Sequence, residues 1–118
     1  MHRKGKPGAV PDKRSFKGLL LQGERELNKV LFSACLSGNL AMARDALDKG
    51  AHPDARDRFG RTPLMIVAME NFDKIGELLL ERGADKAAQD KRGTTAISYA
   101  GMFYNKRMIR LLEKASAA

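Results

Sequence analysis

Few residues in this 118-residue sequence could carry out chemistry, and those few are scattered. The single cysteine, Cys35, lies between Ser33 and Ser37 in a stretch with helical periodicity. The sequence places no base beside these nucleophiles, since His52 follows a helix-ending glycine and His2 lies near the N-terminus. We therefore predict no catalytic residue, with Cys35 a small buried thiol and His52 an exposed turn residue. An enzyme that uses Cys35 is the alternative, and it requires a reactive thiol.

Metal and cofactor sites are not predicted either. One cysteine cannot form an internal disulfide, and no cysteine–histidine cluster has the spacing of a zinc site. The glycines form neither a phosphate-binding loop nor a dinucleotide-binding pattern. Gly76 falls inside a predicted helix, where it costs about 1 kcal/mol relative to alanine, and we attribute it to close helix contact. We expect no cofactor and no small-molecule substrate.

Composition and charge set further limits. A chain of this length with 43% hydrophobic residues suits one compact domain. Aromatic residues make up 6% and tryptophan is absent, so a stacking platform for nucleic acid is excluded. Of the net charge of +8, residues 1–23 carry +5, from six lysines and arginines against Asp12, and the rest of the chain carries the other +3.

The first 23 residues are predicted to be a flexible basic tail, because Gly5, Pro7, Gly8 and Pro11 resist regular structure. Such a tail could bind nucleic acid or an anionic membrane, but without interleaved aromatics or a recognition helix solvated charge is the simpler explanation. Runs of bulky apolar residues, such as 19–21, are too short for a membrane span or a signal-peptide core. We expect a cytoplasmic location, or an exported one if a signal was removed before this numbering.

An internal repeat organises the remainder of the chain. Leu31, Leu64 and Ile97 are each 33 positions apart, and glycines, threonines and helix-stripe residues recur at the same offset. In the middle unit Thr62 is placed to cap a helix and Pro63 suits its first turn. Apolar stripes on either side of a break at residue 71 predict two short helices. Because one helix pair cannot bury its apolar face, neighbouring units must stack.

These units resemble the ankyrin repeat. The middle unit carries Gly60-Arg-Thr-Pro-Leu64 and Leu78-Leu-Leu-Glu-Arg-Gly-Ala-Asp85, whereas the outer two match less fully and look like caps. The resemblance implies an all-α helix-turn-helix stack, an α-solenoid, over residues 24–118, with repeats at about 24–56, 57–89 and 90–118. Met65 replaces the family's usual histidine, which loses a polar tie between repeats. Leu31, Leu64 and Ile97 are predicted to share one interior.

The resemblance also implies a partner-facing surface made of turn tips and one edge of the first helix of each repeat. The residues carried over to it are Arg56, Arg58, Phe59, Arg61, Met69, Glu70, Gln89, Lys91, Arg92, Met102 and Phe103, with Leu36 and Ser37 from the first unit. Its cations outnumber Asp54, Asp57 and Asp90, which favours an acidic partner protein.

Several of these positions allow two interpretations. Phe59 is either an interaction anchor or packed on a neighbouring turn, and Phe103 is either exposed or buried in the terminal cap. Met69 and Met102 form either an adaptable apolar strip or part of the core. We predict a non-catalytic protein-binding module, acting as an inhibitor or immunity-like partner of an enzyme. The alternatives are an adaptor or scaffold subunit and association driven by the tail. We expect a monomer or a weak homo-oligomer.

Overall fold

The computed structural model describes the backbone of residues 13–115 and the side chains of residues 23–114. This part of the chain contains six helices and no strand. In chain order the helices are α1 (Lys13–Ser37), α2 (Leu40–Asp48), α3 (Pro63–Glu70), α4 (Asp73–Glu81), α5 (Ala96–Met102) and α6 (Lys106–Ala115).

The helices form three hairpins that stack side by side. Within the hairpins α1 packs on α2, α3 on α4 and α5 on α6. Between hairpins, α1, α3 and α5 make one row and α2, α4 and α6 make a second row. The predicted all-α repeat stack is therefore confirmed.

Helix starts follow the local sequence. The Thr62 hydroxyl accepts a hydrogen bond from the backbone N–H of Met65, and Pro63 is the first residue of α3, as predicted. The buried Met65 side chain turns back, and its Sδ accepts from the N–H of Thr62 at 3.5 Å. The residue that replaces the usual histidine thus keeps a weak tie within its own repeat. Asn71, at the predicted break, ends α3 in the left-handed region with φ 63°.

Close contact between the outer helices explains the glycine inside α4. A Cβ atom placed on Gly76 would lie 3.0 Å from Cε and 3.1 Å from Sδ of Met108. Met108 is fully buried, so α6 approaches α4 where α4 has no side chain. The prediction for Gly76 is confirmed. Glycine lowers the helix propensity of α4, but a larger residue at this position would prevent the contact with Met108.

The shared interior was predicted correctly for two of its three leading residues. Leu31 and Leu64 are fully buried, but Ile97 is 38% exposed. α3 packs on α1, which carries Leu31, and α5 packs on α3, which carries Leu64. No inner helix among the described residues packs on the far side of α5, which carries Ile97. Ile97 lies instead in an open depression beside Thr95 and Leu112.

The N-terminal helix begins earlier than the sequence suggested. Residues 13–23, predicted to be flexible, belong to α1. The two glycines and two prolines on which that prediction rested all precede Lys13. A helix that packing stabilises around Leu31 can therefore extend back to Lys13 at little cost in free energy. Residues 1–12, which hold the rest of the predicted tail, lie outside the described residues.

Candidate partner-binding surface

The first turn tip, residues 57–61, is built around one carboxylate. Asp57 Oδ1 accepts hydrogen bonds from the N–H groups of Phe59 and Arg61, both at 2.9 Å. Its Oδ2 accepts from Nε of Arg61 at 2.9 Å. Partial burial opposes ionisation of Asp57, but the hydrogen bonds from Arg61 and Phe59 outweigh it and hold the pKa of Asp57 below its ordinary value. Both oxygens of the Asp57 carboxylate therefore accept hydrogen bonds from within the tip and stabilise its conformation.

The second tip, residues 90–94, has the same arrangement of three hydrogen bonds to one carboxylate, but the side-chain donor is different. Asp90 Oδ1 accepts from the N–H groups of Arg92 and Thr94 at 2.9 Å, and its Oδ2 accepts from the hydroxyl of Tyr99. The hydrogen bond from Tyr99 is the main reason that the pKa of Asp90 lies below its ordinary value. Burial, followed by the bond to Asp90, raises the pKa of Tyr99.

Arg56 joins the two tips. Its guanidinium donates to the carbonyl oxygen of Gly60 at 2.9 Å and to that of Gln89, which lies one repeat further on. The backbone N–H of Lys91 also donates to the carbonyl oxygen of Phe59 at 3.2 Å. Part of the donor capacity of Arg56, a predicted partner-binding residue, is thus used inside the molecule.

Phe59 stands out from the first tip with 54% of its surface exposed. The guanidinium carbons of Arg58 and Arg61 lie 5.4 Å and 4.9 Å from the centre of its ring, within cation–π range. The Phe59 ring is thus exposed and has two cations near it, and its role as an interaction anchor stays a prediction.

A concave site, which we call the tip cavity, lies between the tips and the inner row. It has a volume of about 270 Å³ and is lined by Phe59, Arg61, Asp90, Lys91, Arg92 and Tyr99. Sequence reasoning missed Tyr99, because only the last residues of each inner helix were carried over. Its signal was its position one turn before Met102 on α5.

A larger concave site, the α1 cavity, lies over the first helix with a volume of about 530 Å³. Its lining consists of Arg25, Asn28, Lys29, Phe32, Ser33, Leu36, Arg56 and Asp57. The sequence pointed to Leu36 and Arg56 but not to Arg25, Asn28, Lys29 or Phe32. The first unit lacks the family's opening motif, so its inner helix could not be aligned as far back as residue 25.

The remaining predicted residues lie where the inner helices end. Met102 and Phe103 are each more than half exposed, whereas Met69 is half-buried against the core and Glu70 is exposed. Burial of Phe103 in the cap is thus not observed, and the two methionines differ, since Met69 packs against the core and Met102 is exposed. Sequence reasoning also missed Tyr104, which is 85% exposed with a positive φ of 58°.

Within the described residues, the groups that could support catalysis lie apart from one another. Cys35 is fully buried, and burial raises its thiol pKa to about 12, so almost no thiolate forms near neutral pH. The exposed His52 accepts a hydrogen bond at Nδ1 from the N–H of Asp54, as part of a turn. Between residues 23 and 114 no group of histidine, cysteine and acidic side chains could hold a metal ion.

Comparison with known proteins agrees with the architecture. The family described as "Ankyrin repeats (3 copies)" matches residues 31–117, so the chain belongs to the ankyrin repeat family. Members of this family are generally non-catalytic protein–protein interaction modules. None of the described helices combines the length and apolar character needed to cross a membrane.

Individual relatives are much longer than this chain. Potassium channel KOR1 of Oryza sativa subsp. japonica is 36% identical over 87 residues, which are 74% of this chain and 10% of the channel. A putative ankyrin repeat-containing protein of Treponema pallidum (strain Nichols) is 32% identical over 82 residues, or 70% of this chain and 28% of that protein. The Ankyrin repeat, SAM and basic leucine zipper domain-containing protein 1 of Neofelis nebulosa is 31% identical over 85 residues, or 72% and 18%.

Proposed function

We propose that this chain binds a partner protein through its two tips and the adjoining edge of the inner helices, and that it acts by covering a site on that partner. The supporting observation is Phe59, a half-exposed ring with two guanidinium groups within cation–π range. A rigid aromatic beside arginine is typical of residues that dominate binding energy at protein interfaces. An inhibitor or immunity-like partner of an enzyme fits a single compact binding face.

The charge of this surface favours an acidic partner. The two tips and the adjoining Arg56 carry five cations but only two carboxylates: Arg56, Arg58, Arg61, Lys91 and Arg92 outnumber Asp57 and Asp90. Both carboxylates accept hydrogen bonds from their own tips, so the cations dominate what an approaching protein meets. Electrostatic attraction of this kind raises the association rate and selects against basic partners.

The alternative roles make different predictions. An adaptor requires a second face for a second protein, and tail-driven association requires the basic residues within 1–23 to retain DNA or anionic lipid at low salt. We propose that the chain covers a site on its partner, in preference to an adaptor role or association through the tail. We further propose a cytoplasmic location and a monomer or weak homo-oligomer, which sedimentation at several concentrations would test.

Affinity capture from the source organism tests the proposed surface. The full chain and the variant Arg58→Asp plus Phe59→Ala are compared, with Arg44→Asp as a control because Arg44 is an exposed residue of the outer helix α2. We expect a partner that co-purifies with the native chain and with the control but is lost from the double variant. Both variants must keep the native helical circular dichroism. Equal recovery of the same partner by all three chains would refute this surface.

A further inference from the structure

We infer that the partner segment recognised by this chain is acidic and carries two large apolar side chains, one for the tip cavity and one for the α1 cavity. This inference rests on the proposed function and specifies the chemistry of the partner. Both cavities are lined by apolar or aromatic side chains together with cations, and the two linings adjoin where Arg56 and Asp57 precede Phe59 and Arg61.

The α1 cavity has the features of an apolar anchor site. The half-buried Phe32 and the exposed Leu36 belong to its lining, and its volume of about 530 Å³ lies within the range of ligand sites in proteins. Arg25 and Lys29 provide cations on the same helix. Lys29 pairs with Glu26 at 3.4 Å, but both side chains are largely exposed, so a partner carboxylate can replace this contact at small cost.

The tip cavity repeats the combination with aromatic rings. Phe59 and Tyr99 line it together with Lys91 and Arg92. Lys91 is exposed and makes no ion pair with any carboxylate of the described residues. The hydrogen bond between Tyr99 and Asp90 fixes the tyrosine, which reduces the entropy that binding would otherwise lose.

Carboxylates of the partner would meet donors that the tips leave available. All the hydrogen bonds to Asp57 and Asp90 come from within the tips or from α5, so neither carboxylate binds the side chain of Arg58 or Lys91. Ionised donor–acceptor pairs are about twice as strong as neutral ones. An acidic residue next to each apolar anchor therefore gains a contact that a neutral residue does not.

Other occupants match the two cavities less well. A membrane surface cannot enter concave sites, and a phosphate backbone gains nothing from apolar lining residues such as Phe32 and Leu36. A second copy of this chain would bring cationic rims together, against a net charge of +8 on each chain. These three occupants become outcomes of the test.

The experiment uses fluorescent synthetic peptides and the full chain. One peptide contains two leucines within a glutamate-rich sequence, in a series that lengthens the interval between the leucines one residue at a time. The comparison peptides replace one or both leucines with serine, or all glutamates with lysine. Binding is followed by fluorescence anisotropy at low and at physiological salt. At the best interval, we expect each leucine to tighten binding by about tenfold or more. The lysine peptide should not bind.

Variants of the chain assign each leucine to a cavity. Leu36→Asp should remove the gain from one leucine and Phe59→Ala the gain from the other. Val30→Asp is the matched control, because Val30 is exposed on the same helix but does not line the α1 cavity. The inference is overturned if the peptide without leucines binds as tightly as the peptide with two, if no peptide binds, or if DNA or anionic vesicles are retained more strongly than every peptide. Concentration-dependent dimers that Leu36→Asp abolishes would also overturn it, in favour of a second copy.

Failure of this inference and failure of the proposed function can be told apart. If Arg58→Asp plus Phe59→Ala loses the natural partner while no peptide distinguishes the two cavities, the surface is correct and the chemistry of the partner is wrong. If the natural partner is retained by that variant, the proposed function fails whatever the peptides do.

Discussion

Replacement of Gly38 by alanine tests how the turns between paired helices stack. Gly38 has φ 77°, and a Cβ atom at this position would lie 2.8 Å from Cε1 and Cζ of the Phe72 ring. Gly83 and Gly93 have φ 89° and 80°, but a Cβ atom on either of them meets nothing within 4 Å. The three glycines therefore share a backbone conformation and differ in one steric contact between neighbouring repeats.

The expected magnitudes follow from these two contributions. Alanine in the left-handed region strains the folded state by about 1–2 kcal/mol. Alanine also restricts the unfolded chain, which offsets about 0.4–1 kcal/mol of that strain. Gly83→Ala and Gly93→Ala should therefore each lower the free energy of unfolding by roughly 0.5–1.5 kcal/mol. Gly38→Ala adds overpacking against the Phe72 ring, typically about 1–3 kcal/mol. Its total loss should be about 2–4 kcal/mol, a large fraction of the stability of a small domain.

Urea unfolding followed by far-ultraviolet circular dichroism measures all three variants by linear extrapolation. Phe72→Ala in the Gly38→Ala background should recover part of the loss, so that the two substitutions are less than additive. If Gly38→Ala is already partly unfolded at room temperature, its stability can be measured by urea unfolding at low temperature or by thermal melting. Equal losses for Gly38→Ala and Gly93→Ala, or full additivity with Phe72→Ala, would refute the contact between the turns.

Three further outcomes follow from single residues. Tyr104→Asn should raise the free energy of unfolding by about 0.5–1 kcal/mol in the same urea assay, because asparagine tolerates positive φ and the exposed ring loses little packing; an unchanged or lower value would contradict this. Asp90 has a lowered pKa when folded, so its stabilisation is complete above its unfolded pKa of about 4 and is lost as pH falls through the folded pKa. Asp90→Asn should therefore be less stable than the native chain at neutral pH, and the gap in urea midpoints should narrow below about pH 4. The Cys35 thiol should react with a thiol reagent only as fast as the chain unfolds, and rapid labelling under native conditions would contradict its burial.

The repeat period predicts most of the fold. Spacing of 33 residues places Leu31 and Leu64 in one interior and puts Thr62 at a helix start, because these features depend on local caps and on neighbours that every internal unit has. Ile97 shows where the period fails: identical spacing produces different burial because no helix of the described part of the chain packs on the far side of α5. The start of α1 could not be predicted either, since nothing in the repeat extends to residue 13.

The candidate surface was predicted less completely, because cavities arise between units rather than within them. Tyr99 occupies the alignment column of Ser33 and Ile66. Only the structure shows that it binds Asp90 on the tip before α5 and shares a cavity with Phe59 and Arg61 of the preceding unit. Arg25 and Phe32 belong to a helix that lacks the family's motif at its start. Alignment to the repeat did not extend to Arg25, and for Phe32 and Tyr99 it gave a position on the helix but not the neighbouring residues that complete each cavity.

Arg56 and Arg58 show why residue type alone does not separate structure from function. They are two positions apart, carry the same charge and are both exposed. The guanidinium of Arg56 binds backbone carbonyl oxygens of two tips, whereas that of Arg58 lies over Phe59. Replacing Arg56 therefore disturbs the shape of both tips, and a loss of partner binding in that variant could not be assigned to contact with the partner. Arg58 leaves the hydrogen bonds of the tips intact when it is replaced, and for that reason it is the arginine on which the binding surface should be tested.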